Sequence, residues 1–389
     1  MTHAAPAAST ERSGSLLLVG TGIGALAAAM GIGRFAFTPL LPLMLRDGTL
    51  DAAGGAEWAV ANYVGYLLGA ITAGRFGAAP ARVLALSLAG VAATTLGAAA
   101  EPGVLSGMVL RFAAGVFSAW ALICTSGFIL GGLARRGVPQ RGGWIYTGVG
   151  LGIAFCGILT WLGGRQTARA LWLELGLGAA VAAAVVALGL RGERTAPPPV
   201  ARAGGTGAGG QGAIVLCYGV FGFGYIVPAT FLPAMARAQV SDPLVFGLAW
   251  PLFGLAAAPS VAVATLWLPG WPRRRVWALA QAIMAVGTAL PVLTPSLPAL
   301  AGSAVLVGGT FVVATMAGLQ LARELRPDNP TPLLARMTVS FAAGQIVGPL
   351  LVRLLAPFEA GSWTAIAYAD AVATVLLAAT AAFLWRAGR

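Results

Sequence analysis

The chain has 389 residues, 58% of them hydrophobic and 9% charged, and its 24 basic residues, all arginine, against 12 acidic ones give a formal net charge of +12. Soluble domains carry about 25% charged residues, so a single soluble globular domain, a disordered tail protein and a secreted disulfide scaffold are excluded. Nucleic acid is a poor partner for this charge, because the arginines are strewn between apolar runs rather than gathered on one polar face with aromatics to stack on.

A helix crosses the hydrocarbon core in about 20 residues. Apolar segments of that length fall at 16–44, 56–74, 83–100, 104–131, 143–163 and 170–190, then at 213–236, 244–268, 276–294, 298–321, 337–357 and 363–385. That predicts an all-α membrane protein with twelve spans, since lipid requires each span to satisfy its own backbone. The long polar break, RGERTAPPPVARAGGTGAGGQ at 191–211, reads as a flexible linker. The predicted organisation is a cytoplasmic tail at 1–15, a six-helix bundle at 16–190, the linker at 191–211 and a second six-helix bundle at 212–389. The first apolar run is too long for a signal-peptide core and is expected to stay as span 1.

Orientation follows from the arginines. With the N-terminus cytoplasmic, seventeen fall in inside segments, four (Arg46, Arg165, Arg169 and Arg237) in outside loops, and three within spans. Both termini are therefore expected inside, in the bacterial cytoplasmic (inner) membrane. Trp58, Trp161, Trp172 and Trp363 are expected at outer interfaces, and Trp144, Trp267, Trp277 and Trp385 at inner ones.

Cys124, Cys156 and Cys217 each lie inside an apolar run and read as packing residues. His3, the only histidine, lies in the tail, which excludes a histidine metal site or a Ser-His-Asp triad. GTGIGA from Gly20 and GIGRFA from Gly31 fit a dinucleotide-binding pattern, but no strand precedes either, so they read as packing or bending glycines. No P-loop string is present, and the chain has no lysine to complete one. No cofactor and no metal are expected.

The halves repeat. GIGRFAFTPLLPLM from Gly31 aligns with GFGYIVPATFLPAM from Gly222 at an offset of 191, matching Gly31/Gly222, Gly33/Gly224, Leu41/Leu232, Pro42/Pro233 and Met44/Met235. Pro39, Pro42, Pro228 and Pro233 are expected to free carbonyls and allow bending where a cavity is built. Gly148 and Gly152 of span 5 echo Gly344 and Gly348 of span 11. A duplicated six-span half creates a pseudo-two-fold axis along the membrane normal, as in transporters whose halves rock about a central site.

These features resemble the major facilitator superfamily. GIGRFAFTPLLPLM, ANYVGYLLGA from Ala61 and YGVFGFGYIVPATFLPAM from Tyr218 resemble its YbfB/YjiJ-type group. The usual charged glycine loop after span 2 is reduced to Gly74, Arg75, Gly77 and Arg82, span 4 keeps Arg111-x-x-x-Gly115, and span 5 keeps Gly148, Gly150 and Gly152 without the proline typical of exchangers. The resemblance implies that spans 1, 4, 7 and 10 line a central cavity.

Charge within the membrane costs roughly 2.5–3.5 kcal/mol on insertion scales, so intramembrane arginines are functional candidates. Arg34 lies about ten residues from the end of span 1, roughly 15 Å deep at 1.5 Å per residue. Arg111 lies roughly 10 Å deep in span 4 by the same rise. Arg353 sits near an outer end and is expected to snorkel or to pair with Asp370 on span 12. If spans 1 and 4 face the cavity, Arg34 and Arg111 give it positive potential suited to an organic anion, whose carboxylate a guanidinium matches better than an ammonium does. The competing reading has Arg34 pairing only with helix carbonyls freed by Pro39 and Pro42, and Arg111 stabilising helix contacts. Thr38, Asn62, Tyr66, Tyr225, Thr230 and Gln345 are neutral partners for a bound solute, and Asp370, Glu57 and Glu174 are candidates for coupling to protons.

The expected function is a secondary active transporter moving a small organic anion by rocker-switch alternating access, as a monomer in the bilayer. The alternative is an exporter of lipophilic drugs or metabolites, with Phe35, Phe37, Trp120, Phe223 and Trp250 forming a greasy site. A membrane-embedded enzyme or sensor is the remote alternative, disfavoured by the scattered acids and the short loops.

Overall fold

The computed structural model describes residues 5–73, 80–101, 103–191, 211–326, 331–361 and 363–387. Most of the predicted linker, His3, and Gly74, Arg75 and Gly77 of the loop after span 2 lie outside the described residues.

The architecture is helical. Span 1 is composite: α1 (Ala5–Leu26) passes into a π-helix (Ala27–Phe35) and then α2 (Phe37–Asp47), which Gly48 ends in a left-handed turn at φ 70°. The helix begins at Ala5, so residues 5–15 continue it rather than forming an irregular tail. α3 (Ala52–Thr72), α4 (Pro80–Ala98), α5 (Val104–Arg135), α6 (Thr147–Leu162) and α7 (Ala168–Gly189) follow. The second half holds α8 (Gln211–Gln239), a short α9 (Pro243–Phe246), α10 (Ala249–Trp267), α11 (Arg273–Leu293), α12 (Leu297–Leu325), α13 (Thr331–Leu355) and α14 (Ala365–Arg386). Eleven helical segments among the described residues are long and apolar enough to cross a membrane. α3 has spanning length, 21 residues, but is not one of the eleven. Its Glu57, Asn62, Tyr63 and Tyr66 lower its hydropathy.

Several of the helices that begin at the end of the molecule carrying Gly48, here the far end, open on side-chain caps, although α5 and α10 start there without one. Asp51 accepts from the Gly54 N–H at 2.8 Å, Thr167 from Ala170 at 3.3 Å and Thr364 from Ala367 at 3.2 Å. Arg46 and Asp47 clasp this end to the start of α7: Arg46 donates to the carbonyls of Gly164 and Gln166, and Asp47 accepts from the Ala168 N–H at 2.7 Å.

Packing repeats between the halves. α3 and α4 both pack on α5, while α10 and α11 pack on α12; α4 meets α7 as α11 meets α14; α6 meets the π-helix as α13 meets α8. The halves touch each other through α6 on α10, α3 on α13, and α2 on α8. Without a hydrophobic force between helices in lipid, close approach of small residues holds such contacts. A Cβ on Gly31 would lie 2.4 Å from the Gly152 backbone, and one on its repeat mate Gly222 would lie 2.3 Å from the Phe341 carbonyl oxygen. The α6–α10 seam is equally tight: a Cβ on Gly150 would lie 2.3 Å from the Ala258 nitrogen, on Gly157 2.6 Å from that of Pro251, and on Gly254 2.2 Å from that of Ala154.

Two sequence expectations are corrected by this packing. Trp58, Trp172 and Trp277 keep their places near span ends but do not face outward, being 1%, 2% and 0% exposed within the fold. Trp58 fills the space opened by Gly107 and donates to the Val104 carbonyl at 3.0 Å. Arg353 and Asp370 form no ion pair: Arg353 is exposed, while Asp370 is 0% exposed and neither carboxylate oxygen has a hydrogen-bond partner. Matching depth on adjacent helices did not bring matching azimuth.

Candidate functional site

The π-helix carries Arg34 into the centre of the molecule. A π-turn inserts one residue into the helical ladder and leaves carbonyls without their usual α-helical partners. Here they are taken from outside: Cys156 of α6 donates to the Gly31 carbonyl at 3.4 Å, and Arg111 of α5 donates through Nη1 to Gly33 at 3.1 Å and through Nη2 to Arg34 at 3.0 Å. Asn62 of α3 in turn donates to the Arg111 carbonyl at 2.9 Å. In this conformation Arg111 therefore acts on the backbone of span 1, and its guanidinium lies over the Phe37 ring at 5.1 Å.

Arg34 itself pairs with no backbone carbonyl among the described residues. Its guanidinium lies 3.9 Å from the ring centroid of Tyr66, with Phe35 and Tyr63 at 5.5 and 5.6 Å. Its Nη2 donates to the Gln345 Oε1 of α13, and Gln345 Nε2 donates to the Tyr225 hydroxyl of α8. Nε and Nη1 have no hydrogen-bond partner, although the residue is only 3% exposed. Among the described residues no carboxylate pairs with it.

Around this charge, aromatic rings close the space. Tyr225 stacks on Phe311 at 5.4 Å and on Phe341 at 5.6 Å, and Phe35 meets Trp250 and Phe311, each at 6.2 Å. Tyr63 shares a 2.9 Å hydrogen bond with Thr230 across the two halves, and Thr38 donates to the Ala229 carbonyl at 3.2 Å. Arg34, Tyr66, Gln345, Tyr225 and Thr230 thus belong to one buried cluster, with Thr38 one turn beyond it on span 1. Asn62 reaches it only through Arg111. Of the greasy candidates, Phe35 and Trp250 join this cluster, whereas Trp120 donates to Thr72 on α3, and Phe37 packs on Trp58.

Sequence reasoning missed Tyr63, Cys156, Phe311 and Phe341. Tyr63 was within reach, standing three residues from Tyr66 in the same ANYVGY string. The others touch the site only through the packing of distant spans. Of the three acids singled out, Asp370 is buried, Glu57 is half-buried near the far end, and Glu174 is exposed with no ion pair to Arg165 or Arg169. Among the described residues no three His, Cys, Asp or Glu side chains come together to hold a metal.

Two cavities flank the cluster without reaching Arg34. One of about 100 Å³ lies toward the end opposite Gly48, lined by Leu130, Tyr146, Met316, Gln320 and Arg323 among others. The second, about 10 Å³, lies at the far end between Pro39, Thr160, Pro233 and Phe246. Arg34 lines neither cavity and is 3% exposed.

A buried, cationic centre between two repeated sets of membrane-length helices defines the class: a multi-pass membrane protein built as a transporter. Residues 26–383 match the family described as "Uncharacterised MFS-type transporter YbfB", and the chain belongs to that family of secondary transporters. Two crystal structures of the nucleoside transporter NupG, one of a point mutant, share the fold with a TM-score of 0.67 each, at 14% and 12% identity. Both align over 96% of this chain and over 99% and 98% of theirs. No curated protein sequence matches the chain.

Proposed function

We propose that this protein is a secondary active transporter that moves a small organic anion by alternating access, with Arg34 as its principal ligand. The observation that carries this reading is a buried guanidinium with two unmatched nitrogen donors and no counter-ion among the described residues. Taking a charge out of water without a partner is costly, and a bound carboxylate or similar anion supplies the missing acceptors. Gln345, itself held by the Tyr225 hydroxyl, accepts from the third nitrogen meanwhile, and the aromatic cluster offers a flat apolar bed for the rest of the solute.

In this reading the chain has twelve spans, α3 being the twelfth, arranged as six-helix bundles at 16–190 and 212–389 around the 191–211 linker. The arginine bias supports both termini on the cytoplasmic side of the bacterial inner membrane. The far end is then external, and the larger cavity beside Arg323 is the vestige of an inward passage. The closed Arg34 cluster represents an occluded state, from which the halves rock apart about α2 and α8. Energy comes from an ion gradient or from the solute's own, and the chain performs no enzymatic step.

The test is thermal stabilisation of the purified, full-length protein by panels of carboxylates, amines and neutral lipophilic compounds. Carboxylates are expected to raise the unfolding midpoint of the native protein and not of Arg34→Gln. Stabilisation by neutral lipophiles alone, unchanged in Arg34→Gln, would move the assignment to a lipophile exporter.

A further inference from the structure

Away from Arg34, one titratable group has no place in the anion site. Asp370 is the only buried carboxylate among the described residues, 0% exposed, on the inward face of α14 with Ala369, Ala373 and Leu377. Neither oxygen has a hydrogen-bond donor. The helices packed on α14 bring no counter-ion to it. α11 carries Arg273, Arg274 and Arg275 at its opposite end. α8 carries Cys217 and Tyr218 near its start, Tyr225, whose hydroxyl is taken by Gln345, and Arg237, which donates to the Pro42 carbonyl at 2.9 Å. α13 carries Arg336 and Arg353, both with exposed side chains. On α14 itself, Tyr368 stacks on Trp363, and Arg386 lies in the last turn.

An unpaired charge is among the costliest groups to hold in lipid, and neither a donor nor a cation among the described residues offsets one at Asp370. A polar seam begins one turn away. Thr374 donates to the Asp370 carbonyl at 2.8 Å and shares a 2.8 Å hydrogen bond with Thr288 of α11. Further along, Gln281 of α11 donates to Thr380 at 2.7 Å, and its buried Oε1 is unpartnered. From Asp370 to Thr380 the seam runs about 15 Å at 1.5 Å per residue, toward the end that carries Arg275 and Trp385. The bond from Thr374 is to the backbone carbonyl of Asp370, and about two turns separate the Thr288–Thr374 pair from the Gln281–Thr380 pair, so the seam is a row of polar side chains for entering water to bridge.

We propose that Asp370 is a proton-binding site set off the central axis, reached along the Thr374–Thr288 and Gln281–Thr380 seam between α11 and α14. The carboxylic acid O–H gives its proton to water that enters when α11 and α14 part, leaving a carboxylate that opposes their closing. Only the use of this proton to drive transport rests on the function proposed above; the site itself does not.

The experiment is an infrared pH titration of the purified full chain in lipid vesicles, with no solute added. A protonated-carboxyl band is expected that gives way to carboxylate as pH rises. Asp370→Asn should delete that band, and Asp370→Glu should keep it at a shifted position. Thr288→Val should slow the band's response to a pH jump without moving its midpoint. A band unaltered in Asp370→Asn overturns the assignment, and so does an Asp370 band that ignores pH throughout. An unslowed response in Thr288→Val removes the seam as the route. If Asp370→Asn does not fold, the Asp370→Glu shift alone decides the assignment. Because no solute is involved, failure here leaves the Arg34 reading standing, and failure of anion binding leaves this one.

Discussion

The segment from Gly31 to Met44 and its mate from Gly222 to Met235 share glycines, a leucine–proline pair and a methionine at matching positions. The first is nonetheless a π-helix passing into α2, and the second is α-helical throughout despite Pro228 and Pro233. The difference comes from their neighbours. α5 brings Arg111 to accept custody of the Gly33 and Arg34 carbonyls, whereas α12 brings the Phe311 ring against Tyr225. A helix keeps a π-turn where a second helix supplies donors for the displaced carbonyls, and the glycines only permit it. Arg34 and Tyr225 occupy the same repeat position, 191 residues apart, and Gln345 joins them. One half offers the charge and the Tyr66 ring against it; the other offers Gln345, the Tyr225 hydroxyl and the rings stacked on it.

This asymmetry can be broken from either side. Arg34→Gln should abolish transport measured in reconstituted vesicles while insertion and folding persist, whereas the mate substitution Tyr225→Phe should weaken transport only partly. Undiminished transport in Arg34→Gln would falsify the central role given to span 1. Arg111→Gln comes next. It removes two charge-assisted hydrogen bonds, so a loss of about 3 kcal/mol in stability is expected, read as a lowered unfolding midpoint. Hydrogen exchange should quicken at residues 27–35 and not along α8; equal quickening in both would show that Arg111 does not act on the π-turn. Tyr225→Phe leaves the ring stack and deletes one hydrogen bond, at a stability cost of about 1 kcal/mol. Smallest should be Thr38→Val, which loses a single 3.2 Å bond to Ala229, about 0.5 kcal/mol. A drop in Thr38→Val as large as that in Arg111→Gln would place the stabilising contact on the axis instead.

Much of this was legible in sequence because membrane depth follows from counting. Arg34's distance from the end of span 1 announced a buried guanidinium, and the 191-residue offset announced the repeat. What counting cannot give is azimuth. Arg353 and Asp370 share a depth, but α13 turns one outward while α14 turns the other inward. Trp58 and Trp277 stand near span ends, as interfacial tryptophans do, yet glycine-sized neighbours draw Trp58 into the packing. The π-turn was illegible for a related reason: its donor lies 77 residues from the Arg34 carbonyl that it serves. α3 shows the limit of hydropathy itself, since the residues that bring Asn62, Tyr63 and Tyr66 to the site also make it less apolar than its neighbours.

The seam between α6 and α10 has a mechanical consequence. Where Gly150, Gly157 and Gly254 meet the opposite backbone, contact rests on shape and dispersion between closely approaching main chains. The corresponding α3–α13 contact lacks such glycines, because Gly65 and Gly69 of α3 face α5 instead. No ion pair among the described residues crosses this joint, and the side-chain hydrogen bond beside it is the 2.8 Å one from Trp161 of α6 to the Leu244 carbonyl of α9. The opening of the joint should therefore answer to temperature and to the lateral pressure of the lipid, and hardly at all to salt.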